Sequence, residues 1–267
     1  MRRDAMHLFE MISNNRGKSG FKIGITTNGT LLKKNTRRLK EIGIDSLNIS
    51  LDTLRRDRFV DITGSNDFDS VMEGIDSAIG AGYNSLKINC VIMKGVNEDE
   101  VTDFMRFAIE KDINVRFIEF MPFSGNGWDE KSFLPSVKIM EMISEKYEIK
   151  PLKSIVGLAG SSAINRTADD YSIYGGRGIV SFISPISNHF CAECNRLRLT
   201  TTGELKLCLF SGADESILLM PYLRDTNFND GDIKEVIKEF LLLKKKSHSS
   251  VTKLAMLNKN RMLKIGG

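Results

Sequence analysis

Three of the four cysteines, Cys191, Cys194 and Cys208, lie within eighteen residues, and no other feature limits the fold of this chain so tightly. The first pair forms a CxxC turn, and the third thiol returns after thirteen intervening residues, about the length of a tight β-hairpin. Three sulfurs placed that way can converge on one metal centre. A structural zinc takes four protein ligands, and His189, two residues before Cys191, offers a fourth for a Cys3His knuckle. A four-iron cluster held by three thiolates would instead leave one iron open to a further ligand. Between the thiols, Arg196 and Arg198 alternate with Leu197 and Leu199, and a strand of period two sends both guanidiniums to one face and both leucines to the other. Two permanent cations beside an open metal corner suit a polyanion such as a nucleoside triphosphate; the plainer reading is a solvated hairpin face.

Composition narrows the classes. The chain has 267 residues, enough for one large domain or two small ones, and 41% are hydrophobic, enough for a sizeable core. A net charge of +4 is too mild to argue for nucleic acid but suits small anions. No apolar run is long enough to cross a bilayer, so no membrane partner is expected. Clustered cysteines do not resemble a disulfide framework and favour a reducing, intracellular compartment. Cys90 stands alone in an apolar run and reads as a packed core residue. The amino terminus carries no signal peptide and opens on a charged amphipathic helix with Met6, Leu8, Phe9 and Ile12 on its apolar side, so abruptly that further sequence is expected before it.

The first half alternates strand and helix. Strands are expected at Phe21–Thr26, Ser46–Leu51, Leu86–Met93 and Ile113–Phe120, and helices around Leu31–Ile42 and over Phe68–Ala81. Another helix is expected after Asn97, which can cap it, with Glu98, Asp99 and Glu100 in its first turn. This alternation predicts βαβ units, a parallel sheet curled as a partial barrel, and functional residues at the carboxyl ends of the strands. Thr26, Asn28, Ser50, Asp52, Lys94 and Met121 fall there. Lys87 and Arg116 lie inside strands, where a cation needs a partner. Either Arg116 pairs internally with Glu119 or Asp52, or both cations face into the barrel and receive an anionic ligand. Near Gly125 the composition changes. A helix is expected at Val137–Tyr147, then short antiparallel strands over Ile155–Ser187 leading to the cysteines, and a helix at Ile233–Leu243 running into Lys244, Lys245 and Lys246. The expected domains are therefore 1–124, a partial barrel, and 125–267, a smaller α+β domain.

The stretch FCAECNRLRLTTTGELKLCL resembles the carboxy-terminal cluster motif of the radical S-adenosylmethionine GTP 3',8-cyclases, the molybdenum cofactor biosynthesis protein A family. TTNGTLL, NISLDTL, LKINCVIMKGVNEDE, VRFIEFMPF and GIVSFISPISNHFC are similar to further family stretches, in the family's order and over nearly the whole chain. The resemblance implies an α/β fold, an incomplete (βα) TIM-like barrel with a carboxy-terminal α+β cluster domain. It displaces the zinc reading and implies a [4Fe-4S] cluster on Cys191, Cys194 and Cys208 with GTP on its open iron. It implies GTP contacts from Thr26, Lys87, Arg116, Arg196 and Arg198, and S-adenosylmethionine contacts from Ser50 and Met121. The terminal Gly266 and Gly267 resemble a tail that this family inserts into its active site. The implied reaction is radical conversion of GTP to (8S)-3',8-cyclo-7,8-dihydroguanosine 5'-triphosphate, on the way to cyclic pyranopterin monophosphate. The implied partners are GTP, a second copy in a homodimer and a downstream cyclic pyranopterin monophosphate synthase, in bacterial cytoplasm or mitochondrial matrix.

One departure stands out. The family's CxxxCxxC motif, which holds a second [4Fe-4S] cluster that cleaves S-adenosylmethionine, is absent, as is its Gly-Gly-Glu-Pro motif; the only cysteine before Cys191 is Cys90. The expectation is that this chain alone has no radical source, so that a cluster- and GTP-binding remnant without turnover is the alternative reading.

Overall fold

The computed structural model describes residues 4–83, 85–152, 167–212, 215–249 and 253–255. Two compact units emerge. The first comprises Met1–Ile118, Ser136–Lys153 and Ala168–Ile183; the second comprises Glu119–Pro135, Ser154–Thr167 and Ser184–Gly267. The single boundary expected near residue 124 is therefore replaced by an interleaved division. The physical reason is sheet extension: the strands after the composition change add their hydrogen bonds to the edge of the first sheet.

That sheet carries β1 (Gly24–Thr27), β2 (Ser46–Ser50), β3 (Leu86–Ile92), β4 (Asn114–Glu119), β5 (Ile149–Pro151), β6 (Asp169–Ile173) and β7 (Ile179–Ile183). Its order is β1-β2-β3-β4-β7-β6-β5. β1 and β2, β2 and β3, and β4 and β7 pair in parallel, while β6 runs antiparallel to both β7 and β5. Strict alternation along β3 buries Leu86, Ile88, Cys90 and Ile92 and leaves Lys87, Asn89 and Val91 on the other face. Helices α2 (Leu32–Ile42), α4 (Phe68–Gly80) and α5 (Val101–Lys111) bury apolar positions that recur at helical spacing, and α2 packs on α4. Phe104 of α5 meets Phe117 edge-on at 6.2 Å, and Phe117 lies 6.1 Å from Phe182 of β7. Each such fully buried ring contributes about 1.5–3 kcal/mol of transfer free energy. The turn leading into α2 approaches α4 so closely at Gly74 that an added Cβ would lie 2.6 Å from the carbonyl oxygen of Gly29 and 3.1 Å from Leu32 Cβ.

The remaining helices are α1 (Ala5–Asn14), α3 (Arg56–Thr63), α6 (Ser136–Ser144), α7 (Met220–Arg224) and α8 (Asp230–Leu241). Of the apolar side expected on α1, Met6 and Phe9 are half-buried, while Leu8 and Ile12 are exposed. In the second unit, β8 (Arg198–Leu199), β9 (Glu204–Lys206) and β10 (Ser216–Leu218) form an antiparallel sheet of order β10-β9-β8. Leu205, Leu207 and Leu219 pack there against Phe240 of α8. Among the described residues, no helix is long and apolar enough to cross a membrane.

Asn97 corrects one expectation. It caps no helix through its side chain; Glu98–Glu100 is a short 3-10 turn and α5 follows. Its buried amide instead donates to Asp52 O at 2.7 Å and Val91 O at 2.9 Å and accepts from Met93 N at 2.7 Å. It thereby ties the carboxyl end of β2 to that of β3. Glu100 adds a second tie: its buried carboxylate accepts from Thr53 Oγ1 at 2.6 Å, Leu54 N at 2.7 Å and Arg58 Nη1 at 2.5 Å. Asp52 keeps some exposed surface, but its carboxyl group is enclosed, and burial raises its pKa from 3.8 to about 6 against the opposing hydrogen bond from Val91 N. The folded state thus holds the proton more tightly than the unfolded chain, and stability falls as pH rises from about 4 through about 6, by up to about 3 kcal/mol. Asp52→Asn is expected to remove that slope and to stabilise the protein at pH 7; urea denaturation across pH 4–7 checks it, and an unchanged slope would refute it.

Candidate cluster and nucleotide site

In the second unit, Phe190 leads into a 3-10 turn over Cys191–Glu193, closed by Cys194 N donating to Cys191 O at 3.1 Å. The chain then enters β8, turns at Gly203 (φ +81°) and returns on β9 towards Cys208. A Cβ on Gly203 would sit 2.4 Å from Met220 Cγ, so the hairpin turn needs glycine. The Cys208 loop is fixed by its own hydrogen bonds. Cys208 N donates to Ser211 Oγ at 2.9 Å, and Phe210 N donates to Cys208 Sγ at 3.5 Å. Phe210 also stacks on Phe123 at 5.4 Å.

The three thiols are free, half-buried and line common ground. Two cavities share them. One is completed by His189, Phe190, Arg196 and Arg198, the other by Lys244, Lys245, Glu215 and Leu243; Phe210 and His248 line both. β8 and β9 form the expected hairpin, and both arginines line a cavity with the thiols. Arg196 feels the field of Cys194 and Arg198 that of Cys208, while burial in the cavity lowers the pKa of both guanidiniums. Arg196 remains exposed as a whole residue and also donates to Thr167 Oγ1. The strand is shorter than expected, and Leu197 and Leu199 are both exposed, Leu199 at 61%. Burial pushes the Cys208 thiol up, partly opposed by the Phe210 hydrogen bond and Lys244. His189 lies edge-on to His248 at 5.2 Å. Among the described residues, no group of three or more His, Cys, Asp or Glu side chains, the three cysteines included, closes on a single metal ion.

In the first unit, the expected cations share the polar face of the sheet. Register aligns Thr26 of β1 with Asn48 of β2, and Asn48 with Lys87 of β3. Further along, Arg116 of β4 aligns with Ser181 of β7, and Ser181 with Asp170 of β6. Lys87 is half-buried; desolvation and the Arg116 charge lower its pKa, while Asp170 works the other way. Ser181 Oγ donates to Asp170 Oδ1 at 2.6 Å or to Asn114 Oδ1 at 2.9 Å. Of the two partners expected for Arg116, Asp52 accepts from Val91 N at 2.8 Å. Glu119, in the second unit, accepts from Ile186 N and Ser187 N, each at 3.0 Å. Asn48, Ser181 and Asp170 went unread in the sequence, because only strand register aligns residues so distant along the chain.

Ser50 stands exposed at the carboxyl end of β2, in register with Asn89, whose buried Oδ1 has no hydrogen-bond partner. Met121 follows β4 in the second unit, half-buried, its carbonyl accepting from Asn126 Nδ2 at 2.9 Å. Cys90 is fully buried, its thiol 3.7 Å from Asp52 O, as a core residue should be. Gly266 and Gly267 lie outside the described residues.

Two family models match the chain: the radical SAM superfamily over residues 1–108 and molybdenum cofactor synthesis C over residues 113–250. Named relatives agree. The chain is 41% identical to the mitochondrial GTP 3',8-cyclase of Arabidopsis thaliana, over 100% of this chain and 65% of that protein. It is 41% identical to molybdenum cofactor biosynthesis protein 1 of Dictyostelium discoideum, over 100% of this chain and 41% of that protein. It is 40% identical to the GTP 3',8-cyclase of Listeria monocytogenes, over 92% of this chain and 72% of that protein. The chain thus spans about two thirds or less of the first two relatives, and with both family models and these identities it belongs to the radical SAM, molybdenum cofactor synthesis family of the GTP 3',8-cyclases.

Proposed function

We propose that this chain serves the GTP 3',8-cyclase reaction of molybdenum cofactor biosynthesis, with GTP as substrate and a cyclic pyranopterin monophosphate synthase downstream. The observation that carries the reading is the pairing in one cavity of three free thiols with Arg196 and Arg198. In this reading the βα units of the first unit belong to a radical SAM barrel and the second unit is the cluster domain.

In kind and number the donor set suits a [4Fe-4S] cluster. Cys191, Cys194 and Cys208 supply three thiolates, the number that keeps one iron available, and nearby cations offset the negative charge of a thiolate-bound cluster. When bound, the cluster supplies a Lewis-acidic corner at which a purine can be fixed. Arg196 and Arg198 then serve as permanent cations for GTP, each able to donate two parallel hydrogen bonds to an anionic oxygen. Lys87, Arg116 and Thr26 contribute the polar face of the sheet, where the Arg116 charge and the opposing Asp170 charge both act on Lys87. Ser50 and Met121 hold S-adenosylmethionine, and the unsatisfied Asn89 Oδ1 beside Ser50 is an acceptor suited to a ligand N–H or O–H group. The protein's contribution is to hold base and sugar in a reactive geometry and to exclude water.

The test is GTP affinity. With the chain reconstituted anaerobically with iron and sulfide, Arg196→Ala or Arg198→Ala should each weaken GTP binding by about 1.5–3 kcal/mol, the scale of a charged hydrogen bond. Titration calorimetry reads it. Unchanged affinity in both variants would return the arginines to a solvated hairpin face.

A further inference from the structure

Of the three consecutive lysines after α8, Lys244 and Lys245 line a cavity with the thiols, and Lys244 comes within reach of one of them. Its Nζ lies 3.7 Å from Cys194 Sγ and also donates to the carbonyl oxygen of Arg196. Lys245 is ion-paired with Glu215 in the same cavity, and Lys246 is exposed. The placement of Lys244 is built into the fold. The end of α8 tightens into successive i→i+3 bonds, Leu242 N to Glu239 O at 3.2 Å, Leu243 N to Phe240 O at 3.1 Å and Lys244 N to Leu241 O at 3.0 Å. Phe240, one turn earlier, is anchored among Leu205, Leu207 and Leu219. The lysine therefore projects from a short, tightly wound segment rather than from a loose tail.

Cations line both cavities that share the thiols. Arg196 and Arg198 line one cavity and Lys244 lines the other. A cation within hydrogen-bonding reach of a thiolate acts on the sulfur itself. Hydrogen bonds and positive charge at a cluster thiolate favour the reduced, more negative cluster and raise its reduction potential.

We infer that Lys244 is a positioning residue that donates a charged hydrogen bond to Cys194 and raises the reduction potential of the cluster held by the three thiols. This rests on the cluster reading proposed above. Its second bond, to the Arg196 carbonyl, joins the same ammonium to the segment that carries a GTP-facing guanidinium. Lys244 thus couples the electronic state of the thiolate to the position of the neighbouring arginine.

The test is a dithionite titration, followed by electron paramagnetic resonance, of the full chain reconstituted with iron and sulfide, as wild type, Lys244→Met and Lys245→Met. The expected result is a midpoint shifted to more negative potential in Lys244→Met and unchanged in Lys245→Met. A full cluster with an unmoved midpoint in Lys244→Met, or equal shifts in both variants, would overturn the inference while leaving the cluster reading intact. A wild-type chain that takes up no iron-sulfur cluster would overturn the proposed function and this inference with it. If Lys244→Met holds no cluster, Lys244→Gln takes its place: it keeps an N–H donor without the charge, a smaller negative shift is expected, and no shift counts against the inference.

Discussion

Glu100→Ala is expected to destabilise the first unit by about 3–5 kcal/mol, the cost of removing one partner from a buried ion pair. The magnitude follows from what would be left behind. The Glu100 side chain is 2% exposed and Arg58 only 17%. Removing the carboxylate would strip Thr53 Oγ1, Leu54 N and Arg58 Nη1 of an acceptor in one step. Arg58 would keep Asp99, at 2.6 Å, but the more exposed Asp99 cannot follow it inward. A domain stable by about 5–15 kcal/mol would lose much of its margin. Glu100→Gln retains shape and one acceptor and should cost less, about 1–3 kcal/mol. Urea denaturation reads both. A cost below about 1 kcal/mol for Glu100→Ala would mean that the network is incidental. The functional weight of the network lies in its location, because it fixes the turn that follows Ser50, the residue proposed for S-adenosylmethionine.

Cys208→Ser should leave the fold intact and lower iron incorporation from about four atoms per chain to nearly none. Serine preserves the size of the side chain and the bond from Cys208 N to Ser211 Oγ, which is made by the main chain. It replaces the soft thiolate that iron prefers. Two thiolates remain at Cys191 and Cys194, too few for the open three-ligand arrangement. Cys90→Ser is the control: Cys90 is fully buried beside Asp52 O and should affect stability without affecting iron. Iron analysis, with circular dichroism to verify folding, distinguishes these outcomes. A Cys208→Ser chain that keeps a full cluster would remove Cys208 from the ligand set.

The sequence disclosed whatever was local. Cysteine spacing, the alternation along Leu86–Ile92 and the helical periods of α2, α4 and α5 all express contacts within one or two turns of chain, and each element appears within a few residues of expectation. α3 went unread because Arg56–Thr63 offers few apolar positions, and only Phe59 is buried. Non-local chemistry was hidden. Asn97 resembles a helix cap because its neighbours are acidic, yet its amide satisfies main-chain groups from two strand ends. Glu100 reads as a helix-dipole acid and is a buried anchor for residues more than forty positions away. The placement of β6 and β7 depends on which sheet edge is free, and composition does not encode that. Lys244 reads as one of three solvated lysines; only the winding of α8 and its leucine platform turn it inward.

The most direct measurement combines metal content with ligand response. The chain is reconstituted anaerobically with iron and sulfide, analysed for metal, reduced, and examined by electron paramagnetic resonance before and after addition of GTP. One [4Fe-4S] cluster per chain whose signal changes when GTP binds is the predicted result. A colourless protein holding stoichiometric zinc, or a cluster whose signal is blind to GTP, would contradict it.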